Sequence, residues 1–110
     1  LPLHRGETQA QTAEALMRAR YSGYAVGDLD YVWQTWHPRT RPAELGSDPG
    51  LIWIGLQILD TVDGQPGDQT GEVEFRARYR AGGRTGTLHE RSRFAVRARR
   101  WFYVDGDLFD

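Results

Sequence analysis

The chain contains no cysteine and no lysine. Without cysteine it can form no disulfide, no thiol redox centre and no thiolate zinc site. All fourteen basic residues are therefore arginine, a bias that reads as GC-rich codon usage rather than as function. Set against fifteen acidic residues they leave a net charge of −1, which gives no global attraction to nucleic acid. No apolar run approaches the roughly 18 residues of a membrane-spanning helix, and no signal-peptide pattern opens the chain. A soluble, cytoplasmic protein with no membrane contact is expected. The first residue is Leu1, as in a segment of a longer protein. With 110 residues, 39% of them hydrophobic, there is material for one core and not two, so 1–110 is read as a single domain.

What is present is a stretch of strict alternation. Val73, Phe75, Ala77 and Tyr79 interleave with Glu72, Glu74, Arg76, Arg78 and Arg80, the period of a strand with one apolar and one charged face. Gly82-Gly83 then separates this run from a second one, and a glycine pair there signals a two-residue hairpin turn. In that register Phe75 faces Glu90, Ala77 faces Leu88 and Val73 faces Ser92, while Glu74 meets Arg91, Glu72 meets Arg93 and Arg76 meets His89. Arg91 and Arg93 are then read as solvent-face partners of Glu72 and Glu74. Glu90 is the anomaly, because it falls on the apolar face, where an unpartnered carboxylate is costly. It is either a structural acid satisfied by a helix group or a pocket acid/base.

Upstream, Leu1 to Gln11 reads as a polar lead-in. Thr12 is positioned to cap a helix whose face is Ala13, Leu16, Met17, Tyr21 and Tyr24, ended by Gly27. Asp28 caps a second helix carrying Leu29, Val32, Trp33 and Trp36, closed by His37-Pro38. A loop follows from Arg39 to Gly50, with one helical turn expected around Pro42 to Leu45. Leu51 to Leu59 reads as a strand covered on both faces, Asp60 to Gly71 as a turn region, and Trp101 to Asp105 as a final strand. If Ala98-Arg99 form the last turn, Trp101 faces Val96, Tyr103 faces Phe94 and Asp105 faces Ser92. Glu90, Ser92, Tyr103 and Asp105 would then line one concave wall. The expected fold is α+β, with N-terminal helices packed on a curved four-stranded antiparallel meander.

The strings ALMRARYSGY (15–24), TWHPRTRP (35–42), WIGL (53–56), ERSRF (90–94) and WFYVDG (101–106) resemble, in order and spacing, the YchJ family. The resemblance implies a nuclear-transport-factor-2-like (cystatin-like) cone. Members of that family commonly carry flanking SEC-C zinc modules rich in cysteine. This chain has none, so zinc binding does not carry over. Domains of this architecture include isomerases, dehydratases, hydrolases and non-catalytic binding or dimerisation modules, and fold alone does not choose among them.

The candidate catalytic residues are His37, Glu90 and Asp105, and the candidate ligand-binding residues are Tyr21, Trp33, Trp36, Trp53, Glu90, Ser92 and Tyr103. Against them stand the plainer readings: His37 as a helix-end cap and the aromatics as core. His4, His37 and His89 show no ligand spacing, so no metal site is expected, nor any cofactor. Nine arginines fall between Arg76 and Arg100. A nucleic-acid footprint there is disfavoured by the interspersed Glu72 and Glu74 and by the lack of stacking aromatics. The same outer sheet face could pack a second copy in a homodimer. The expected function is a small-ligand-binding or interaction domain with a partly polar pocket, the alternative a small-molecule enzyme of isomerase, dehydratase or hydrolase type.

Overall fold

The computed structural model describes residues 9–46 and 48–109. His4 and most of the polar lead-in lie outside them. Two helices, α1 (Ala13–Val26) and α2 (Leu29–Gln34), precede four strands, β1 (Leu51–Asp63), β2 (Thr70–Ala81), β3 (Arg84–Arg97) and β4 (Arg100–Phe109). The strands form one antiparallel sheet in chain order, a meander. No helix among the described residues is long and apolar enough to cross a membrane.

The ends of α1 are set by local chemistry. Thr12 Oγ1 accepts from the Ala15 amide at 3.0 Å, and Gly27 closes the helix in the left-handed region at φ 80°, which costs a glycine nothing. Asp28 accepts from the Tyr31 amide at 3.2 Å and so starts α2. That helix ends at Gln34, two residues earlier than the sequence spacing suggested. Thr35 caps the helix in a turn (φ −93°, ψ 5°) and Trp36 then bridges β4 in parallel: the His37 amide donates to Tyr103 O at 2.7 Å and the Tyr103 amide to Thr35 O at 2.9 Å. No helical turn forms at Pro42 to Leu45.

Helix α1 packs against β1, β2 and β4. One helix can reach both edge strands of a four-stranded sheet only if the sheet curves around it. Three bulges supply bending, with Ile54 and Leu59 as extra residues in β1 and Val104 in β4. The core between helix and sheet contains Leu16, Met17, Val73, Phe75, Phe94 and Trp101. Burying each of these large side chains contributes about 1.5–3 kcal/mol. The Gly82-Gly83 turn and the register it sets are as the alternation dictates, from Ala81 opposite Arg84 through Phe75 opposite Glu90 to Val73 opposite Ser92. Strand β1 is not covered on both faces. It is an edge strand with Ile52 56% exposed, and it continues to Asp63, taking in residues read as turn.

Candidate functional site

Curvature leaves a cavity of about 310 Å³ between α1 and the sheet. Of the sequence candidates, Tyr21, Trp36, Trp53, Glu90, Ser92 and Tyr103 line it, together with Met17, Arg20, Tyr24, Phe75, Ala77 and Leu88. Trp33, His37 and Asp105 do not, and each has a local reason.

The early end of α2 separates Trp33 from Trp36. Trp33 stays on the helix, where its indole N–H donates to Pro42 O at 2.8 Å and the Arg41 guanidinium stacks on its ring at 3.6 Å. Trp36 and His37 are successive residues of an extended segment, so their side chains take opposite sides. Trp36 goes inward and meets Tyr103 edge to face at 5.1 Å, while His37 turns to Phe102. His37 Nδ1 accepts from the Arg39 amide at 3.0 Å. Burial and then the charges of Arg39 and Arg97 hold its pKa below the usual histidine value.

Asp105 is moved by the β4 bulge. Up to Tyr103 the pairing is as expected, with Trp101 opposite Val96 and Tyr103 opposite Phe94. The extra residue Val104 then shifts the register, so Asp105 faces Arg93 and Gly106 faces Ser92. Thr40 Oγ1 satisfies the Val104 carbonyl at 2.6 Å. Asp105 therefore lies on the outer face, accepting from Arg93 Nε at 2.6 Å, with Asp107 also on Arg93 at 2.8 Å. This corrects the expected partner of Arg93, which is β4 rather than Glu72. Arg91 gathers Glu72 at 2.7 Å, Glu74 at 2.9 Å and Asp60 at 3.0 Å. These ladders hold both guanidinium pKa values above the arginine range, through hydrogen bonds first to Glu72 and to Asp107 respectively.

Glu90 is on the concave side. Its Oε1 accepts from Ser92 Oγ at 2.5 Å and, at a longer 3.4 Å, from the Tyr103 hydroxyl. Oε2 has no hydrogen-bond partner among the described residues. The carboxyl lies directly over Gly106, where a Cβ would come within 2.6 Å of Glu90 Cδ. Ser92 is fully buried. Burial, and next the Glu90 charge, push the Tyr103 pKa well above the phenol range, so Tyr103 stays a donor.

The residue that sequence reasoning missed is Arg20, 5% exposed on α1. Its Nη1 donates to Val32 O at 2.6 Å and Thr35 Oγ1 at 2.8 Å, occupying carbonyl and hydroxyl groups at the C-terminal end of α2, where carbonyls lack helical donors. Its guanidinium sits 4.6 Å from the Tyr103 ring centre and 5.3 Å from that of Trp36, within cation–π range. Burial lowers its pKa, and the surrounding tyrosines and Glu90 oppose that shift. No Arg20–Glu90 ion pair closes among the described residues. The signal was in the helical spacing, since Leu16, Arg20 and Gly23 lie four and three apart on the buried face.

The fold has known counterparts. The model of the YchJ middle NTF2-like domain matches residues 12–106. The chain belongs to the YchJ family. A UPF0225 protein of Streptomyces coelicolor is 54% identical over 107 residues, 97% of this chain and 83% of that protein. One of Cupriavidus metallidurans is 50% identical over 111 residues, covering 96% and 77%. The solution structure of a SEC-C motif containing protein from Rhodopseudomonas palustris superposes with a TM-score of 0.83 at 34% identity, over 99% of this chain and 88% of that one. A crystal structure of a SEC-C motif containing protein from Psychrobacter arcticus shares the fold, with a TM-score of 0.77 at 24% identity over 99% and 70%. The YchJ-family chain thus has the α+β, NTF2-like architecture that its motifs implied.

Proposed function

We propose that this YchJ-family domain binds a small organic ligand in the cavity between α1 and the sheet. The observation that carries the reading is a concave space of about 310 Å³ whose wall is mostly apolar and aromatic but includes a buried arginine and a carboxylate that do not neutralise each other by contact. Ligand sites combine an apolar lining with a few placed polar groups in this way. An acid–base enzyme is supported less well, because two of its three candidate residues, His37 and Asp105, lie outside the cavity.

A fragment survey followed by amide chemical shifts tests the proposal. Binders should shift resonances of Tyr21, Trp53, Leu88 and Glu90 together, and Leu88→Trp, which adds bulk inside the cavity, should abolish those shifts while the domain stays folded. Shifts that survive the filled cavity, or a survey with no binders, would refute it.

A further inference from the structure

The charges and unused hydrogen-bonding groups of the cavity restrict what can occupy it. Arg20 and Glu90 stand on one lining with opposite charge. An organic cation would meet the Arg20 guanidinium, which already lies against the Trp36 and Tyr103 rings that would otherwise attract it. An organic anion would meet Glu90, and like charges in a poorly solvated site repel strongly. A ligand without net charge avoids both costs.

Such a ligand must still engage polar groups that the protein leaves unspent. Among the described residues only Nη1 of Arg20 is used in hydrogen bonds. Its other nitrogens are not among the fully buried atoms without a partner. Trp36 Nε1 is the single such side-chain atom among the described residues, and Arg20 lies on the cavity lining with those donors unspent on described protein groups. The Trp36 N–H itself is sealed from the cavity and is not counted among those donors. On the acceptor side, Glu90 Oε2 is unused. Donors and an acceptor in one small space call for a group with a carbonyl beside an N–H. The volume, near the lower end of the about 300–1,000 Å³ of ligand pockets, suits one or two rings, and the edge-to-face pair of Tyr21 and Trp53 offers a wall for a flat one.

We infer that the cavity selects a net-neutral planar heterocycle with a lactam-type edge, its carbonyl toward Arg20 and its N–H toward Glu90. This rests on the ligand-binding reading above and specifies its chemistry.

Three size-matched probes test it by chemical-shift titration: 2-pyridone as the neutral lactam, benzoate as the anion and N-methylpyridinium as the cation. In the wild-type domain 2-pyridone should bind at least about tenfold more tightly than either ion. Glu90→Gln leaves Arg20 uncompensated, so the preference for benzoate relative to 2-pyridone should rise about tenfold. Glu90→Leu serves the same purpose should the amide variant fail to fold. If either ion binds the wild-type cavity as well as 2-pyridone, or if Glu90 replacement leaves the preference unchanged, the inference is wrong while the binding site stands. If none of the three shifts a cavity resonance, this ligand class is wrong, and the fragment survey with Leu88→Trp decides separately whether the cavity binds anything.

Discussion

Gly106→Ala is a one-methyl change that tests how Glu90 is held. Gly106 lies in β4 outside the left-handed region, so its backbone accepts alanine, and restricting the unfolded chain should by itself stabilise the domain by about 0.4–1 kcal/mol. The methyl, however, would meet Glu90 at 2.6 Å from Cδ, 2.8 Å from Oε1 and 2.9 Å from Cγ, closer than carbon and oxygen pack. A flexible carboxylate is easier to move than a strand, so Glu90 must swing off Gly106. It then surrenders the 2.5 Å bond from Ser92 and leaves that fully buried hydroxyl without its acceptor. Hydrogen bonds to charged groups are worth about 1.5–3 kcal/mol, so the net expectation is a loss of about 1–2 kcal/mol. Thermal melts should show a Tm lower by about 5–10 °C. A double-mutant cycle isolates the cause. In a Glu90→Ala background the obstruction is gone and the Ser92 bond is already lost, so Gly106→Ala should there be neutral or stabilising. The coupling between the sites should be about 2 kcal/mol. Equal destabilisation in both backgrounds would refute the idea that Gly106 exists to seat Glu90.

Two further predictions concern backbone strain and pH. Ala98 and Arg99 form the β3–β4 turn at φ 52° and 66°, in a region that costs a residue with a side chain roughly 1–2 kcal/mol. Ala98→Asn with Arg99→Gly should therefore raise stability by about 1–2 kcal/mol in denaturant unfolding, and no gain would show that the turn carries little strain. Burial pushes the pKa values of Tyr24, Tyr31 and Tyr103 above the ordinary 10.0. The folded state holds these protons more tightly than the unfolded chain, so their contribution is complete below pH about 10 and declines as pH rises above it, by up to about 1.4 kcal/mol per pH unit for Tyr103 and by less for Tyr24, which is 38% exposed. Denaturant midpoints measured across that range should fall, and less steeply in Tyr103→Phe. Identical slopes would contradict the assignment of Tyr103 as a buried, protonated donor.

The parts of the molecule legible in the sequence are those where one local signal decides. Two glycines fix the β2–β3 turn, and alternation then sets the register of that hairpin, which is enough to put Glu90 on the concave side. Ala98-Arg99 show the weaker case, a turn with the right position but no glycine to announce it. Asp105 shows where such counting fails. A bulge adds one residue, and because strand side chains have a period of two, one residue is enough to send Asp105 from the cavity wall to a bond with Arg93. Nothing in the string WFYVDG marks Val104 as the extra residue. Its carbonyl is satisfied by Thr40, a partner 64 residues away in the chain, so the bulge is supported from outside the strand that contains it.

Arg20 and His37 expose a different limit. Residue type misleads at both: a histidine beside two tryptophans invites a catalytic role, while an arginine among the apolar positions of α1 draws no attention. What decided each was where α2 stops. Because the helix ends at Gln34 and Thr35 to His37 join β4, Val32 O and Thr35 Oγ1 are left pointing at α1, and a long cationic donor on the buried face of α1 is the side chain that satisfies them. The same extended segment alternates Trp36 in and His37 out. One helix end therefore both brings the arginine into the cavity and takes the histidine away from it. That exchange replaces a proton-transfer residue by a buried positive charge on the same cavity lining as Glu90, which is a reason to look for a bound neutral ligand before looking for a reaction.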